Sequence, residues 1–146
     1  MPVVSFRGME TKSYKCVIVV DVGLPTGLKV NTAGLLGATL GRRVESIIGL
    51  DIVDGSGENH TGIINIPLPI LSADADAIKG IREKVLKLGG LLVVDFTETA
   101  QMEVRYEDYN DKLAVTPSEE LKYLGVALYG PKKLVNKLVG TLPLIR

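Results

Sequence analysis

The sequence holds little of the chemistry that most metal and redox sites need, with one Cys, one His and no Trp among 146 residues. One Cys excludes an internal disulfide and a Cys-rich zinc site. One His is too few for most imidazole-based metal centres and for most His-based catalytic sets. We therefore expect no metal and no cofactor, and we expect a reducing, cytoplasmic location.

An excess of charge of one sign is also missing, as are long apolar runs. Lys and Arg number 17 against 17 Asp and Glu, and the pI is about 6.6. A neutral chain is poorly suited to coat a phosphate backbone, so DNA is not an expected partner. Residues 1–13 lack the apolar run of a signal peptide, and the run at residues 16–20 is too short to span a bilayer. No membrane partner is expected either.

The chain has a globular composition, with 46% apolar and 23% charged residues, which excludes a disordered chain. Its length predicts one domain, a single α/β unit at residues 15–146 after a lead-in at residues 1–14. Apolar runs predict strands at residues 16–20, 63–66, 91–94 and 125–128. Helical spacing and end signals predict four helices. The first lies at residues 28–45, the third at residues 100–113 and the fourth at Lys132–Val139. The second begins after an N-cap at Ser72 and is terminated by Gly89-Gly90.

Continuous apolar strands alternating with helices are typical of a sheet that is covered on both faces. We predict a three-layer α/β/α sandwich around a four-stranded mixed, mostly parallel sheet. Gly34, Gly37 and Gly41 lower helix propensity in the first helix, and we interpret them as a close contact between that helix and the sheet. The Gly-rich stretch 49–62 is predicted to be a loop with a short extended piece.

Two carboxylates follow apolar runs at the predicted ends of strands. Asp21 follows residues 16–20 and Asp95 follows residues 91–94. Ligands in α/β sheets bind at the carboxyl ends of strands, so we expect a site there. If the two carboxylates face one crevice, their repulsion raises one pKa and creates an acid–base pair. The alternative is that each accepts backbone N–H groups in its own turn.

Four other polar residues or groups have two interpretations each. Lys29 near the start of the first helix would reinforce an anion site, or is a solvated Lys. Asn31 contacts a ligand or caps that helix. His60 lies in an acidic loop that invites a metal site but lacks calcium or zinc spacing, so we favour a pH-sensitive contact that borders the site. Three Lys on the last helix form a small basic patch that is either solvated or in contact with RNA; they are Lys132, Lys133 and Lys137.

Four segments carry a resemblance to known families: KCVIVVDVGLPTGLKVNTAGLLGATLG, GIINIPLPIL, LLVVDFTETAQ and YLGVALYGPKKLVNKLVGTLPLIR. They resemble the type-two peptidyl-tRNA hydrolase fold and, more closely, a family designated as a domain of unknown function (number two thousand). The resemblance covers nearly the whole chain after residue 14. It implies a hydrolase-like fold.

The resemblance implies the fold more specifically than it implies the function. Type-two hydrolases carry a Gln and a His on the first helix, and Gly34 and Gly37 occupy those positions here. Their Asp after the later strand matches Asp95, and Lys29 is the nearest counterpart of the Lys in their Gly-Lys-rich turn. The Thr-Gln pair that follows the Asp has only loose counterparts here, Thr97, Thr99 and Gln101. The resemblance therefore argues against ordinary peptidyl-tRNA hydrolysis and leaves open whether the chain is an enzyme.

Three functional hypotheses follow. The first is a protein of unassigned activity that binds a small molecule, a nucleotide or an RNA end, with Asp95 and Lys29 as catalytic candidates. The ligand-binding candidates in that hypothesis are Asp21, Asn31, Thr97, Thr99 and His60. The second is a residual peptidyl-tRNA or ester hydrolase in which Asp95 positions water and Lys29 holds a phosphate. The third is a non-enzymatic partner-binding protein, a homodimer through the acidic helix at residues 100–113.

Overall fold

A computed structural model describes residues 13–103 and 105–146, so most of the predicted lead-in lies outside the described residues. The strands are β1 (Tyr14–Asp21), β2 (Ile52–Val53), β3 (Asn59–His60), β4 (Ile70–Ala73), β5 (Leu92–Thr97) and β6 (Tyr123–Pro131). The helices are α1 (Thr26–Arg43), α2 (Ala75–Leu88), α3 (Glu98–Met102), α4 (Tyr106–Ala114) and α5 (Lys132–Val139). In this part of the chain no helix is long and apolar enough to cross a bilayer.

The main sheet has four strands in the order β4-β1-β6-β5. The predicted four-stranded mixed sheet is confirmed. Three strands, β4, β1 and β5, run in one direction, as a mostly parallel sheet requires, but β6 lies between β1 and β5 and runs opposite to them, so two of the three pairs of neighbouring strands are antiparallel. Apolar runs that are buried on both faces suggested parallel strands, yet a central antiparallel strand with helices on both faces has the same composition.

The core lies on both sides of β1. Residues 16–20 are 0% exposed, and their side chains point alternately to the two faces of the sheet. The even-numbered side chains pack with Leu36 and Leu40 of α1. The odd-numbered ones pack with Ile78 of α2 and Val135 of α5. The protein is therefore a three-layer α/β/α sandwich, as the apolar runs predict.

The parallel partner of β1 does not lie at the predicted position. The mostly aliphatic residues 63–66 are not a strand of the main sheet, and Ile70–Ala73 takes that place as β4. Ser72 pairs with β1 and is therefore not the N-cap of α2. Asp74 is the N-cap, and its carboxylate accepts a hydrogen bond of 2.8 Å from the Ala77 N–H. Pairing with a distant strand, rather than local pattern, determined which apolar run joined the sheet.

Other boundaries also differ from the predicted ones. β5 continues to Thr97, which places Asp95 inside the strand instead of after it. The predicted helix at residues 100–113 is two helices, α3 and α4. The last helix, Lys132–Val139, begins and ends where predicted, since Pro131 and Gly140 mark its ends locally.

The glycines of α1 do not mediate the predicted close contact with the sheet. A Cβ built on Gly34 or Gly37 meets nothing within 4 Å among the described atoms. A Cβ on Gly41 would lie 3.6 Å from the Ile48 side chain, so it faces the segment that follows α1. Gly34 and Gly37 thus face open space instead of β1 or β6.

Residues 48–64, which we call the arm, form a two-stranded ribbon. Ile48 pairs with Ile64, and β2 pairs with β3 in the same antiparallel register. Every residue from 50 to 61 is exposed. The stretch predicted as a loop with a short extended piece is therefore a projecting hairpin.

Candidate functional site

A cavity of about 540 Å³ lies where β1 begins and β6 ends, at the end of β1 opposite to Asp21. This volume is within the range of small-molecule sites. The lining residues are Tyr14, Lys15, Asn65, Ile66, Pro67, Pro69 and Lys132.

Local sequence explains how these side chains reach one place. Tyr14 and Lys15 are the first residues of β1 and pair with the last residues of β6. Lys132 directly follows β6 as the first residue of α5. Pro67 and Pro69 precede β4, where a residue without an N–H is tolerated. The cavity therefore lies between the entry to β1, the entry to β4 and the start of α5.

Positive charge dominates the polar part of the cavity. The Lys15 ammonium donates a hydrogen bond of 2.7 Å to the Asn136 side-chain carbonyl, which holds it beside α5. The N-cap of α5 is Pro131, which has no capping side chain, and the first turn contains no acidic residue. The positive end of this helix and the ammonium groups of Lys15 and Lys132 thus favour an anion.

The rest of the lining is apolar and held in place. The Tyr14 ring stacks on the Tyr129 ring, with centroids 5.5 Å apart and an angle of 22° between the planes. Burial raises the pKa of the Tyr129 phenol, which keeps it neutral at physiological pH. Asn65 donates a hydrogen bond of 2.9 Å to the Ser46 carbonyl. The cavity therefore has a preformed wall of flat, mostly uncharged groups.

The carboxylates predicted as site residues have separate partners. Asp21 is buried, and its carboxylate accepts a hydrogen bond of 2.9 Å from the Gly23 N–H, which is the turn interaction considered above. Asp95 accepts a hydrogen bond of 2.9 Å from Nε of Arg82 on α2. β6 lies between β1 and β5, so the strands that carry the two carboxylates are about 10 Å apart.

Arg82 and two tyrosines, which the sequence reasoning missed, surround Asp95. The Arg82 guanidinium lies 5.2 Å from the centre of the Tyr123 ring, within the range of a cation–π contact. Burial raises the pKa of Tyr109, and the negative charge of Asp95 raises it further. Asp95 is therefore in an ion pair with Arg82 and near two neutral phenols.

The remaining predicted residues lie on different elements. Lys29 and Asn31 are on α1, with Asn31 exposed. Thr97 is fully buried, and its hydroxyl accepts a hydrogen bond from the Ala100 N–H as the cap of α3. Thr99 lies on α3. Across residues 13–103 and 105–146, no hydrogen bond or ion pair joins Lys29, Asn31 or Thr99 to Asp95.

His60 lies on the arm, where its Nε2 is 2.8 Å from the Asp54 carboxylate. Within the part of the chain that the structure describes, no three His, Cys, Asp or Glu side chains gather as a metal site. The loop that was expected to border a pocket at the strand ends is a hairpin whose polar groups bind one another.

Two segments of the sequence each indicate one part of the cavity. The Gly-Pro-Lys-Lys stretch at residues 130–133 marks an unshielded helix start, and Pro67-Leu68-Pro69 marks a rigid strand entry. Nothing local indicates that these segments meet, since they are more than 60 residues apart in the chain. The pairing of β1 with both β4 and β6 brings them together.

The fold and the cavity define a small three-layer α/β protein with a basic, apolar-walled pocket at one end of its sheet. The family model described as "Protein of unknown function (DUF2000)" matches residues 14–146, and the chain belongs to this family. The predicted family membership is therefore confirmed.

A solved structure of a protein of unknown function from Agrobacterium tumefaciens has a similar fold, with a TM-score of 0.83. The two chains are 19% identical, and the match covers 92% of this chain and 98% of that one. No curated protein matches the chain. The likeness extends to the fold alone, and the relation to peptidyl-tRNA hydrolases stays a prediction.

Proposed function

We propose that the protein binds a small organic anion in the cavity beside β1 and α5. The ligand carries a carboxylate or phosphate on a flat apolar body, such as one or two rings. The observation that carries this proposal is the combination of two Lys and a helix start with an apolar wall in one cavity of about 540 Å³. The earlier expectation of a small molecule, a nucleotide or an RNA end is compatible with this chemistry.

The anionic group is argued from the charges. Lys15 and Lys132 are the charged residues that line the cavity, and both are positive. Lys15 is held in place by Asn136, so it loses little side-chain freedom when it binds an anion. Free N–H groups at the start of α5 add directional donors. An anion there replaces water that the uncapped helix would otherwise bind.

The apolar walls of the cavity indicate the kind of body that the ligand has. Tyr14, Pro67 and Pro69 present flat apolar surfaces, and Ile66 closes the cavity toward the core. Such walls favour rings over flexible polar chains. Asn65 offers a carbonyl that can accept a hydrogen bond from the ligand while its amide group donates to Ser46.

The experiment is titration of the protein with phenyl phosphate, phenylacetate and adenosine monophosphate by calorimetry and by NMR. We expect saturable binding of at least one probe, weakened about tenfold by Lys15→Ala and by Lys132→Ala, since losing one charge-assisted contact changes binding by about 1.4 kcal/mol. Lys137→Ala, in the last turn of the same helix, is the matched control and should bind as the wild type does.

Two results would contradict the proposal. One is the absence of saturable binding of all three probes at millimolar concentration. The other is equal binding by the wild type and the Lys15→Ala/Lys132→Ala double variant. Cleavage of peptidyl-tRNA that is lost in Asp95→Ala would instead favour the residual hydrolase, in which the reaction occurs beside Arg82 and not in this cavity.

A further inference from the structure

The arm exposes aliphatic side chains that cover nothing among residues 13–103 and 105–146. Leu50 is 89% exposed, Ile52 68%, Val53 63% and Ile63 78%. Because side chains alternate along a strand, Leu50 and Ile52 lie with Ile48 on one face of the ribbon, and Val53 and Ile63 lie on the opposite face. Exposed apolar residues grouped on one face mark interaction surfaces more often than scattered ones do.

The polar side chains of the arm bind the arm itself. The Asp51 carboxylate accepts a hydrogen bond of 2.8 Å from the Gly62 N–H. The Asp54 carboxylate accepts one of 2.8 Å from the Ser56 N–H and lies 2.8 Å from Nε2 of His60. These contacts hold the hairpin without help from the aliphatic side chains. The arm is thus a preformed surface, which lowers the entropy lost on association.

The same chain contains a second exposed surface, on α1, that an extended segment can approach closely. The outward stripe of α1 consists of Val30, Asn31, Gly34, Leu35 and Ala38, which recur at helical spacing and are all exposed. Gly34 has no neighbouring atom within 4 Å of a built Cβ among the described residues, so another backbone can approach the helix closely there.

The arm and the helix that carries the stripe have opposite charge, although Arg42 of that helix also lies 3.4 Å from Glu45. The arm contains Asp51, Asp54 and Glu58 and no Lys or Arg, which gives a formal charge of −3. α1 contains Lys29, Arg42 and Arg43 and no Asp or Glu, which gives +3. Complementary potentials of this kind orient two surfaces and suppress the wrong contacts.

We propose that the arm of one copy packs on the outward stripe of α1 in a second copy, and that the reverse contact forms the other half of a symmetric dimer. Both halves of the contact are present on every chain, as a two-fold dimer requires. The arm and the stripe together supply 22 residues on each side, within the roughly 20–30 of a stable interface. The contact lies outside the cavity and does not depend on the proposed ligand.

The first test is the mass of the wild type in solution by sedimentation over a range of concentrations. We expect a dimer of the 15.7 kDa chain. Leu50→Lys removes an aliphatic contact, and Gly34→Gln places a side chain where the arm would lie. Each variant should raise the dimer dissociation constant at least tenfold. Gly34→Gln improves helix propensity, so loss of the dimer in that variant is not a folding defect.

Gly80→Gln is the matched control. Gly80 is also a helical glycine with nothing within 4 Å of a built Cβ, but it lies on α2, away from the proposed contact. This variant should gain thermal stability as Gly34→Gln does and should keep the dimer. A wild type that is monomeric at about 100 µM, a concentration far above a micromolar dissociation constant, would overturn the proposal.

Disulfide trapping tests the pairing of the two surfaces. The native Cys16 is buried, and burial raises its pKa to about 12, so it does not interfere. A mixture of Leu50→Cys and Gly34→Cys chains should form a crosslinked dimer on mild oxidation. A mixture of Leu50→Cys and Gly80→Cys should not. Crosslinking of Leu50→Cys to itself alone would show an arm-to-arm contact and overturn the proposed arrangement.

Discussion

β1 and the arm are built from the same kinds of residue and have opposite surroundings. Both are extended and rich in Val and Ile, yet residues 16–20 are 0% exposed while Leu50 is 89% exposed. β1 has strands along both edges and helices on both faces. The arm pairs only with itself in the part of the chain that is described. Aliphatic composition therefore favours burial of a surface, and the topology decides whether other elements of the same chain bury it.

The largest expected effect is the difference in stability between a truncation in β1 and one in the arm. Ile18→Ala empties space in a fully buried position and should lower the free energy of unfolding by about 2–5 kcal/mol. Ile52→Ala, in the arm, should change it by about 0.5 kcal/mol or less. Urea unfolding at concentrations low enough to keep the protein monomeric measures both. Similar losses in the two variants would mean that the arm belongs to the core.

Glycines give a second, smaller contrast. A Cβ on Gly125 of β6 would lie 2.6 Å from the Thr32 side chain and 3.0 Å from the Val19 carbonyl oxygen. Gly125→Ala should therefore destabilise the protein by about 1–3 kcal/mol through overpacking.

The matched variant, Gly34→Ala, meets open space on α1. It should stabilise the monomer by about 0.5–1 kcal/mol through helix propensity. The same unfolding experiment measures both glycine variants. A loss on Gly34→Ala would show that something covers this face of α1 in the monomer.

Acid should loosen the arm before it affects β1. Hydrogen bonds from His60 and then from the Glu58 and Ser56 N–H groups lower the pKa of Asp54, and the Gly62 N–H lowers that of Asp51. Because the pKa of each carboxyl is lower in the folded arm, the ionised carboxylates stabilise the arm fully above the ordinary Asp pKa. That stabilisation is lost as the pH falls through the lowered pKa.

Amide exchange protection should report this change. We expect protection of the Gly62 N–H to fall below about pH 4, near the ordinary Asp pKa, while protection of the Val19 N–H persists. Asp54→Asn should weaken the arm at neutral pH in the same way. Simultaneous loss of protection at both amides would mean that the arm and the sheet unfold together.

Elements with local end signals could be predicted from the sequence. α5 lies between Pro131 and Gly140, and α2 ends at Gly89, which has a positive φ of 68° that suits glycine. β1 was evident from its unbroken apolar run. These features depend on backbone preferences within a few residues, so no knowledge of distant contacts was needed.

Elements without such signals could not be placed. Residues 63–66 and 70–73 are similar apolar runs, and only pairing with β1 made the second one β4. The strand that the apolar pattern ends at Val94 continues to Thr97 because β6 provides a partner there. The site predicted at the carboxyl ends of the strands stays a prediction. The cavity at the other end of β1 was not predicted, because strand ends were assigned before their neighbours were known.

The sequence by itself determined the α/β class and the buried run of β1, which follow from local composition and periodicity, and the family, which follows from the motifs that resemble it. The tertiary structure decided that β6 runs antiparallel to both of its neighbours, that Lys15 and Lys132 share a cavity, and that Gly34 and Gly37 of α1 face outward. Those features depend on contacts between residues far apart in the chain. The free energy of such contacts is set by how the elements pack together.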